Sequence, residues 1–470
     1  MPPTIAVVGG GVSGLAVTFH VRRLLEERRV PAEVVCLEAG ERPGGNIRTS
    51  TEDGFTCEWG PNGFLDNERA TLDLIRDLGV VDRLLPSNQQ ASQRYLFRKG
   101  RLRLLPSGPI AFLTSGVLSP TGTLRVLGEP FGSPPPQGGD ESVFDFASRR
   151  IGREAAAVLV DAMVGGIFAG DARTLSLEAA FPKMFAMESE HGSLFRAMLA
   201  RRRERKSDGG GPAGPGGTLT SFRNGMGELI DALATAVGTA LRTGCRVAGV
   251  EALGERGYRL NLAKGEPLDA AAIVLACPSW RAARTVEALD PDLAATMAEI
   301  PSSPVAVVHF GYDRATTGVG PHGFGFLAPR GEGLRVLGCL WASSIFDGRA
   351  DAGSSLLTTM IGGATDPEAV SLGDDQLIEI ARRDLEHAMG IAAEPGFIRI
   401  FRHPRGIPQY TLGHPGRVAA IERRLERWPG LLACGNSYRG ISVNACAAEA
   451  PGIATKAIRV LDGRPTLTTK

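Results

Sequence analysis

The stretch IAVVGGGVSGLAVTFH, from Ile5 to His20, constrains the fold more than any other part of the chain. Ile5 to Val8 form a continuous apolar run, the pattern of a strand buried on both faces of a parallel sheet. Gly9, Gly11 and Gly14 then fill the spacing G-x-G-x-x-G, with Gly10, Val12 and Ser13 between them and apolar residues following at helical intervals. Each glycine has a physical task. Gly9 permits the tight turn, Gly11 lets a diphosphate approach the backbone, and Gly14 lets helix and strand pack closely, so the N-terminus of the helix faces the phosphates.

A second apolar run, AEVVCLEAG, ends in Glu38, twenty-four residues beyond Gly14, where a carboxylate can bind ribose hydroxyls; Ala39 follows it. In EAGERPGGNIRT, Arg42 can reach a phosphate, while Gly44 and Gly45, ahead of Asn46, let a second loop approach the same ligand. A unit that binds NAD does not require this second loop. The string E-x-x-x-R-x-G-G resembles the FAD-binding signature of the amine oxidase and phytoene desaturase superfamily. That resemblance implies FAD, and no Cys or His stands where a covalent flavin link could be argued, so the expected cofactor is non-covalent.

At 470 residues the chain exceeds one ordinary domain, and 43% apolar residues with a net charge of +1 fit a soluble or peripherally bound globular enzyme. Neither the net charge nor the pI suggests a nucleic-acid partner. Seven cysteines are scattered without C-x-x-C or Cys/His pairing, which argues against a disulfide framework or a metal site and for a reducing cytoplasm. The apolar start lacks the basic flank of a signal peptide, and its adjacent glycines belong to the phosphate turn. No stretch approaches the roughly 20 apolar residues of a membrane span. Any membrane contact is therefore expected to be peripheral, on the cytoplasmic face.

Two later segments read as parts of the same nucleotide-binding domain. CRVAGVEALGERGYRLNL, from Cys245, alternates as a hairpin does, and AAIVLACPSW is a buried strand running to Cys277 and Pro278. In the superfamily such a hairpin crosses near the adenine, which puts Val247 in the usual contact position. GLLACGNSYRGISVNACAAEAPGIATKAIRVL reads as strand, turn and helix, and its shape resembles the superfamily's closing FAD motif. A helix starting near Asn444 would aim its positive end at the flavin, where negative charge gathers on reduction. The resulting expectation is an α/β, Rossmann-like FAD-binding domain built from residues 1–80, 216–285 and 401–470. It is joined to an α+β substrate domain (81–95 and 286–400) and a mainly helical, membrane-associating lobe (96–215). FGSPPPQGGDE (131–141) and SDGGGPAGPGGTLTS (207–221) read as mobile loops, and SVFDFASRRIG and EAAAVLVDAMVGGIFAG have helical spacing. SLFRAMLARRRERK (193–206) reads either as a solvated helix end or as a basic amphipathic face against anionic lipid.

Several phrases together resemble one family, the FAD-dependent protoporphyrinogen/coproporphyrinogen oxidases. They are EWGPNGFL (58–65), QRYLFRKGRLRLLP (93–106), GGIFAGDARTLSLEAAFP (165–182), GFGFLAPR (323–330), MIGGA (360–364), GIPQYTLGH (406–414) and GNSYRGISVNAC (435–446). The resemblance implies oxidation of a porphyrinogen to a porphyrin with dioxygen as acceptor and hydrogen peroxide as product. Its implied partners are the porphyrinogen, dioxygen, a second copy of the chain in a homodimer, a membrane face and a downstream haem-pathway enzyme. It assigns Arg94 to a substrate propionate, Leu327, Phe346 and Met360 to the apolar surround of the macrocycle, and Gly166 to a loop facing it. Toward FAD it adds Gly60, Pro61, Asn62 and Gly63 after the second loop, and Asn436, Gly440, Ile441 and Val443 in the closing motif. Two departures stand out: the family's V-N-D-C is Val443-Asn444-Ala445-Cys446 here, and Pro451 falls within the closing helix, which it should kink. Protoporphyrinogen IX and coproporphyrinogen III both remain open as substrates. An amine or carotenoid oxidase and a flavin-binding partner without turnover are the alternatives. No acid or base is assigned, because the seven histidines are dispersed and His403 and His414 read as structural.

Overall fold

The structure, a computed structural model, describes residues 2–106, 109–134, 138–207, 217–317 and 322–462. Residues 135–137 and 208–216, within the two expected loops, lie outside the described residues. Three distant parts of the chain meet in a five-stranded parallel sheet, ordered Leu241–Arg242, Glu33–Leu37, Thr4–Val8, Ala272–Leu275, Leu431–Ala433. Alternate residues of its strands enter two different cores. Ile5, Val7, Cys36 and Val274 pack beneath helices Val12–Arg28, Gly227–Val237 and Val443–Asp462, whereas Ala6, Val8, Val35, Leu37, Ile273 and Leu275 face a second core. That second core is closed by a three-stranded antiparallel sheet (Val247–Ala252, Tyr258–Leu262, Leu268–Ala270) and by helices Ser279–Val286, Pro291–Ala298 and His414–Leu425. Burial on both faces is why these strands read as unbroken apolar runs.

A seven-stranded sheet stands beside it, ordered Phe397–Pro408, Ser302–Asp313, Ser354–Gly362, Val336–Leu340, Gly325–Leu327, Arg94–Arg98, Arg101–Leu104. One face buries Ala306, Val308, Phe310 and Cys339 against helix Asp374–Met389, whose Leu377, Ala381 and Leu385 recur at helical spacing. The other face, with Val305, Val307, Leu356, Phe397 and Phe401, turns toward the hairpin Thr49–Glu52/Phe55–Glu58 and Trp59. Phe55 stacks on Phe397 with centroids 4.7 Å apart, and Trp59 on Phe401 at 4.2 Å. The two sheets thus meet through the hairpin.

The segment from Pro109 to Ser207 is mainly helical among its described residues. Ser119 and Ser142 cap the starts of helices Pro120–Leu127 and Val143–Ile151 by accepting the amides of Gly122 and Asp145. EAAAVLVDAMVGGIFAG is helical as its spacing predicts, with one turn of π-helix, Ala156–Val160, running directly into Asp161–Phe168. Helix Leu194–Ser207 has its apolar residues in the first half and its arginines mostly in the second. Polarity is therefore divided along its axis, not between two faces.

Candidate active site

The glycine turn has the geometry that its spacing requires. Gly9 adopts φ +112°, and a side chain on Gly14 would overlap the carbonyl oxygen of Gly9. At Gly11, by contrast, an added Cβ would meet nothing within 4 Å. Helix Val12–Arg28 starts at Gly11 without a side-chain cap, so a phosphate has an open approach to its first turn. Ser13 is buried in that turn beside Gly435. The Glu38 carboxylate is fixed by two backbone donors, the amides of Gly10 and Gly40, each at 2.7 Å, and Ala39, between Glu38 and Gly40, is exposed.

The second loop lies against the first. The Gly44 amide donates to the Gly10 carbonyl at 2.8 Å, Gly44 takes φ +113°, and Gly45 approaches the Cα of Gly11. Arg42 is exposed on this loop, and the Asn46 side chain donates to the Gly406 carbonyl at 3.0 Å. Gly60 packs against the Asn46 carbonyl so closely that a side chain would overlap it, and Gly63 packs against Thr220; Pro61 and Asn62 bridge these two contacts. Val247 opens the hairpin strand opposite Leu262, next to a bulge. In the closing motif the Asn436 carbonyl accepts the Tyr410 hydroxyl at 2.6 Å, Gly440 takes φ +68°, and Ile441 and Val443 pack into flanking cores. Helix Val443–Asp462 passes Pro451 without ending. The glycine turns leave open the space that a dinucleotide diphosphate needs, so these residues fit FAD.

The expected substrate residues fall into two linked groups. One register row crosses the seven-stranded sheet as Leu96, Leu327, Gly338, Met360, Val307 and Phe401, which places Leu327 and Met360 on the face turned away from helix Asp374–Met389. Gly166 meets this row. A Cβ there would lie 2.5 Å from Leu327 Cδ2, and Gly338 provides the complementary gap on the sheet. Gly166 does not lie on a loop, as expected, but in the last turn of helix Asp161–Phe168; the neighbouring apolar residues Val164 and Phe168 are buried and hold the glycine pair helical. Arg94 begins its strand, pairs with Gly325 and is exposed, its guanidinium carbon 4.8 Å from the Phe324 ring centroid. Phe324 and Leu340 pack against Phe346, which is buried with Ile345 and Ala91. The structure thus joins Arg94 to Phe346 through Phe324, and Leu327 to Gly166 and Met360 directly.

The framework around this face was not legible in the sequence. Arg330, just beyond Leu327, donates to Asp161 at 2.6 Å from Nε and to Asp171 at 2.7 Å from Nη2, tying the helix that carries Gly166 to the sheet. Behind the face, Glu58 and Arg349 are buried at 3% and 2% exposure. Glu58 accepts the Met226 amide at 2.8 Å and the Thr49 hydroxyl at 2.7 Å, but the Arg349 guanidinium donates to Ser221, Phe222 and Arg223 and stays 3.8 Å away. Burial therefore dominates and pushes the Glu58 carboxyl up to about 7. His309 Nε2 lies 3.0 Å from the Glu58 carbonyl oxygen and must carry the proton; Nδ1 then accepts the Thr358 hydroxyl. Its burial pulls the imidazole down to about 4. His403 and His414 make comparable bonds to the carbonyls of Trp59 and Tyr438. None of the three presents a free ring nitrogen pair to the face.

A family model described as flavin containing amine oxidoreductase matches residues 12–450. The chain is 28% identical to the coproporphyrinogen III oxidase of Bacillus subtilis (strain 168), covering 97% of this chain and 98% of that one. It is 31% identical to the chloroplastic protoporphyrinogen oxidase of Oryza sativa subsp. japonica, covering 94% and 85%. Among solved structures it resembles a protein of Exiguobacterium sp. 255-15 provisionally assigned as a protoporphyrinogen oxidase, with TM-score 0.82 and 25% identity over 98% of this chain and 99% of that one.

Proposed function

We propose, for a chain that belongs to the flavin-containing amine oxidoreductases and within them to the protoporphyrinogen/coproporphyrinogen oxidase family, oxygen-dependent oxidation of protoporphyrinogen IX in haem biosynthesis. The reading is carried by one observation, an apolar row ending beside a cation that has no ion pair among the described residues. Leu96, Leu327 and Met360 share a face with Arg94, and along that strand the next cation on the face, Arg98, is neutralised by Glu332. A macrocycle with a broad apolar body needs the row, and a carboxylate arm needs Arg94. One free guanidinium on this strand face, among the described residues, favours protoporphyrinogen IX, with two propionates, over coproporphyrinogen III, with four.

FAD, held by the Gly9–Gly14 turn, Glu38, Arg42 and the 44–46 loop, would supply two-electron oxidation of a meso carbon, repeated three times per substrate, with dioxygen as final acceptor. The chain's own residues orient the substrate. Gly166 lets helix Asp161–Phe168 pack directly against Leu327, and the start of helix Val443–Asp462 would present its positive end to negative charge developing on the cofactor. Apolar side chains along the row would exclude water from the reacting carbon. Purified protein offered both porphyrinogens tests the proposal: fluorescent porphyrin should form faster from protoporphyrinogen IX, with stoichiometric peroxide. A faster initial rate with coproporphyrinogen III would reverse the substrate assignment, and no porphyrin from either would end it.

We also infer a peripheral lipid contact through the helical lobe. Its exposed apolar side chains include Leu124, Leu127, Phe131, Met198 and Leu199, with Phe131 88% exposed, and no helix among the described residues is long and apolar enough to cross a membrane. Anionic vesicles should sediment the protein and Phe131→Ser should weaken that binding; equal recovery with neutral and anionic vesicles would remove the electrostatic part.

A further inference from the structure

Arg246, Arg281, Arg284 and Arg405 are among the arginines that have no ion pair among the described residues. Two of them stand over the Trp280 ring. The guanidinium carbon of Arg281 lies 4.1 Å from the Trp280 ring centroid and that of Arg405 4.6 Å from it, although the two arginines come from different parts of the molecule. Arg281 stands on helix Ser279–Val286, directly after the strand whose end packs on the glycine turn: the Cys277 amide would lie 3.0 Å from a Cβ on Gly9. Arg405 stands near the end of strand Phe397–Pro408, on the edge of the seven-stranded sheet, next to Gly406, whose carbonyl holds Asn46 of the second loop. The two cations thus rise from the backbones flanking the two glycine turns and meet over one indole.

The surroundings call for an anion. Burial, and after it the charges of Arg246, Arg284 and Arg405, hold Arg281 below its ordinary value, against an opposing contribution from Cys277. The Trp280 Nε1–H is buried and has no acceptor among the described residues. Like charges gathered without a counter-ion repel one another, and an anion bound between them relieves that repulsion.

We propose that Arg281, Trp280 and Arg405 form a latch across the cofactor cleft, in which two guanidiniums braced on the indole hold the diphosphate of FAD and tie the seven-stranded sheet to the nucleotide-binding sheet. The latch rests on the FAD reading above. It is a positioning device, and it acts on cofactor retention, apart from the Arg94 face.

The test uses the flavin-loaded protein. FAD release after dilution is followed by the rise of flavin fluorescence, and binding of FAD and of FMN, which lacks the adenylyl half and the diphosphate, is titrated on the apoprotein. Arg281→Gln/Arg405→Gln should release FAD on the order of 10- to 100-fold faster, with less acceleration by salt than the wild type and with FMN affinity unchanged. Arg405→Lys, which keeps the charge and loses the planar fork, should fall between them. Unchanged FAD release in the double variant would overturn the latch. Equal weakening of FAD and FMN together with a lowered melting temperature would make these arginines part of the fold and overturn it as well. Wild-type protein that retains no FAD would instead overturn the reading beneath it.

Discussion

Glu58 and His309 set opposite pH dependences on one buried contact, and replacing Glu58 by Gln should separate them. Glu58 has a folded value near 7 against an ordinary 4.5, so its contribution is fully present below pH 4.5 and is lost as pH rises through about 7. At about 1.36 kcal/mol per pH unit, that loss is about 3 kcal/mol. His309 runs the other way: its value of about 4 lies below 6.5, so its contribution is present above pH 6.5 and lost, also by about 3 kcal/mol, as pH falls toward 4. Between pH 4.5 and 6.5 the two nearly cancel in the wild type. Glu58→Gln keeps an acceptor for the Met226 amide, and its new N–H can donate to the Thr49 hydroxyl, so the packing has a neutral replacement. The variant should match the wild type near pH 4, exceed it by up to about 3 kcal/mol at pH 8, and lose stability steeply below pH 6.5, where His309 acts alone. Denaturant unfolding of flavin-loaded protein from pH 4 to 8, with His309→Gln as the counterpart that flattens the acid limb, reads these slopes. A difference between Glu58→Gln and wild type that does not vary with pH would refute the reasoning, since it would mean that Glu58 is ionised throughout.

Gly11→Ala and Gly14→Ala should fail in different ways. The methyl added at Gly11 has room in the protein, so that variant should fold with normal ellipticity but bind FAD poorly, whereas the methyl added at Gly14 collides with the Gly9 carbonyl and should leave the chain folding poorly or not at all. A Gly11→Ala protein that keeps yellow colour through gel filtration contradicts the cradle. Arg94→Ala should raise KM by roughly 10- to 100-fold, the equivalent of one charge-assisted hydrogen bond, with FAD content unchanged because Arg94 lies on the other sheet. Arg94→Lys should recover part of the loss, and an unaltered kcat/KM in Arg94→Ala would place this exposed side chain outside the site.

The nucleotide-binding half was legible because its signals are local. A buried parallel strand needs only a run such as Ile5 to Val8, and a phosphate turn needs only glycines at fixed offsets, so the sequence carries both in one window. The substrate face carries no such window. Leu327 and Met360 are neighbours only through the register of three strands, and their identity as site residues came from the family resemblance alone. Gly166 was misplaced because its loop position came from the family resemblance alone, whereas the helical spacing of EAAAVLVDAMVGGIFAG already covered it, and packing of Val164 and Phe168 keeps the glycine pair helical. Glu58 with His309, Arg330 with Asp161, and Arg281 with Arg405 are pairs separated by more than a hundred residues, and no periodicity reports them.

The departure at Ala445 shows how far a motif can change without losing its start. An Asp at the third position of the closing helix would bring charge to the N-terminus, but the donor it would satisfy is already taken: the Ala445 amide donates to the Ser442 hydroxyl at 3.1 Å, which makes Ser442 the cap of helix Val443–Asp462. Asn444 adds a second anchor, donating to the Leu65 carbonyl at 2.8 Å and accepting the Thr71 hydroxyl at 2.9 Å, so the first turn is held to the strand and helix that follow the 60–63 segment. The Ala445 methyl also closes on Gly440, where any side chain would overlap it, and so fixes the turn that carries Gly440 and Ile441. Pro451 falls two turns later, where its missing N–H leaves one carbonyl of the preceding turn without its helical donor but leaves the helix start untouched. The capped start of the helix is therefore intact and carries no acidic residue in its first turn, which makes it more favourable to an anion than an Asp at position 445 would.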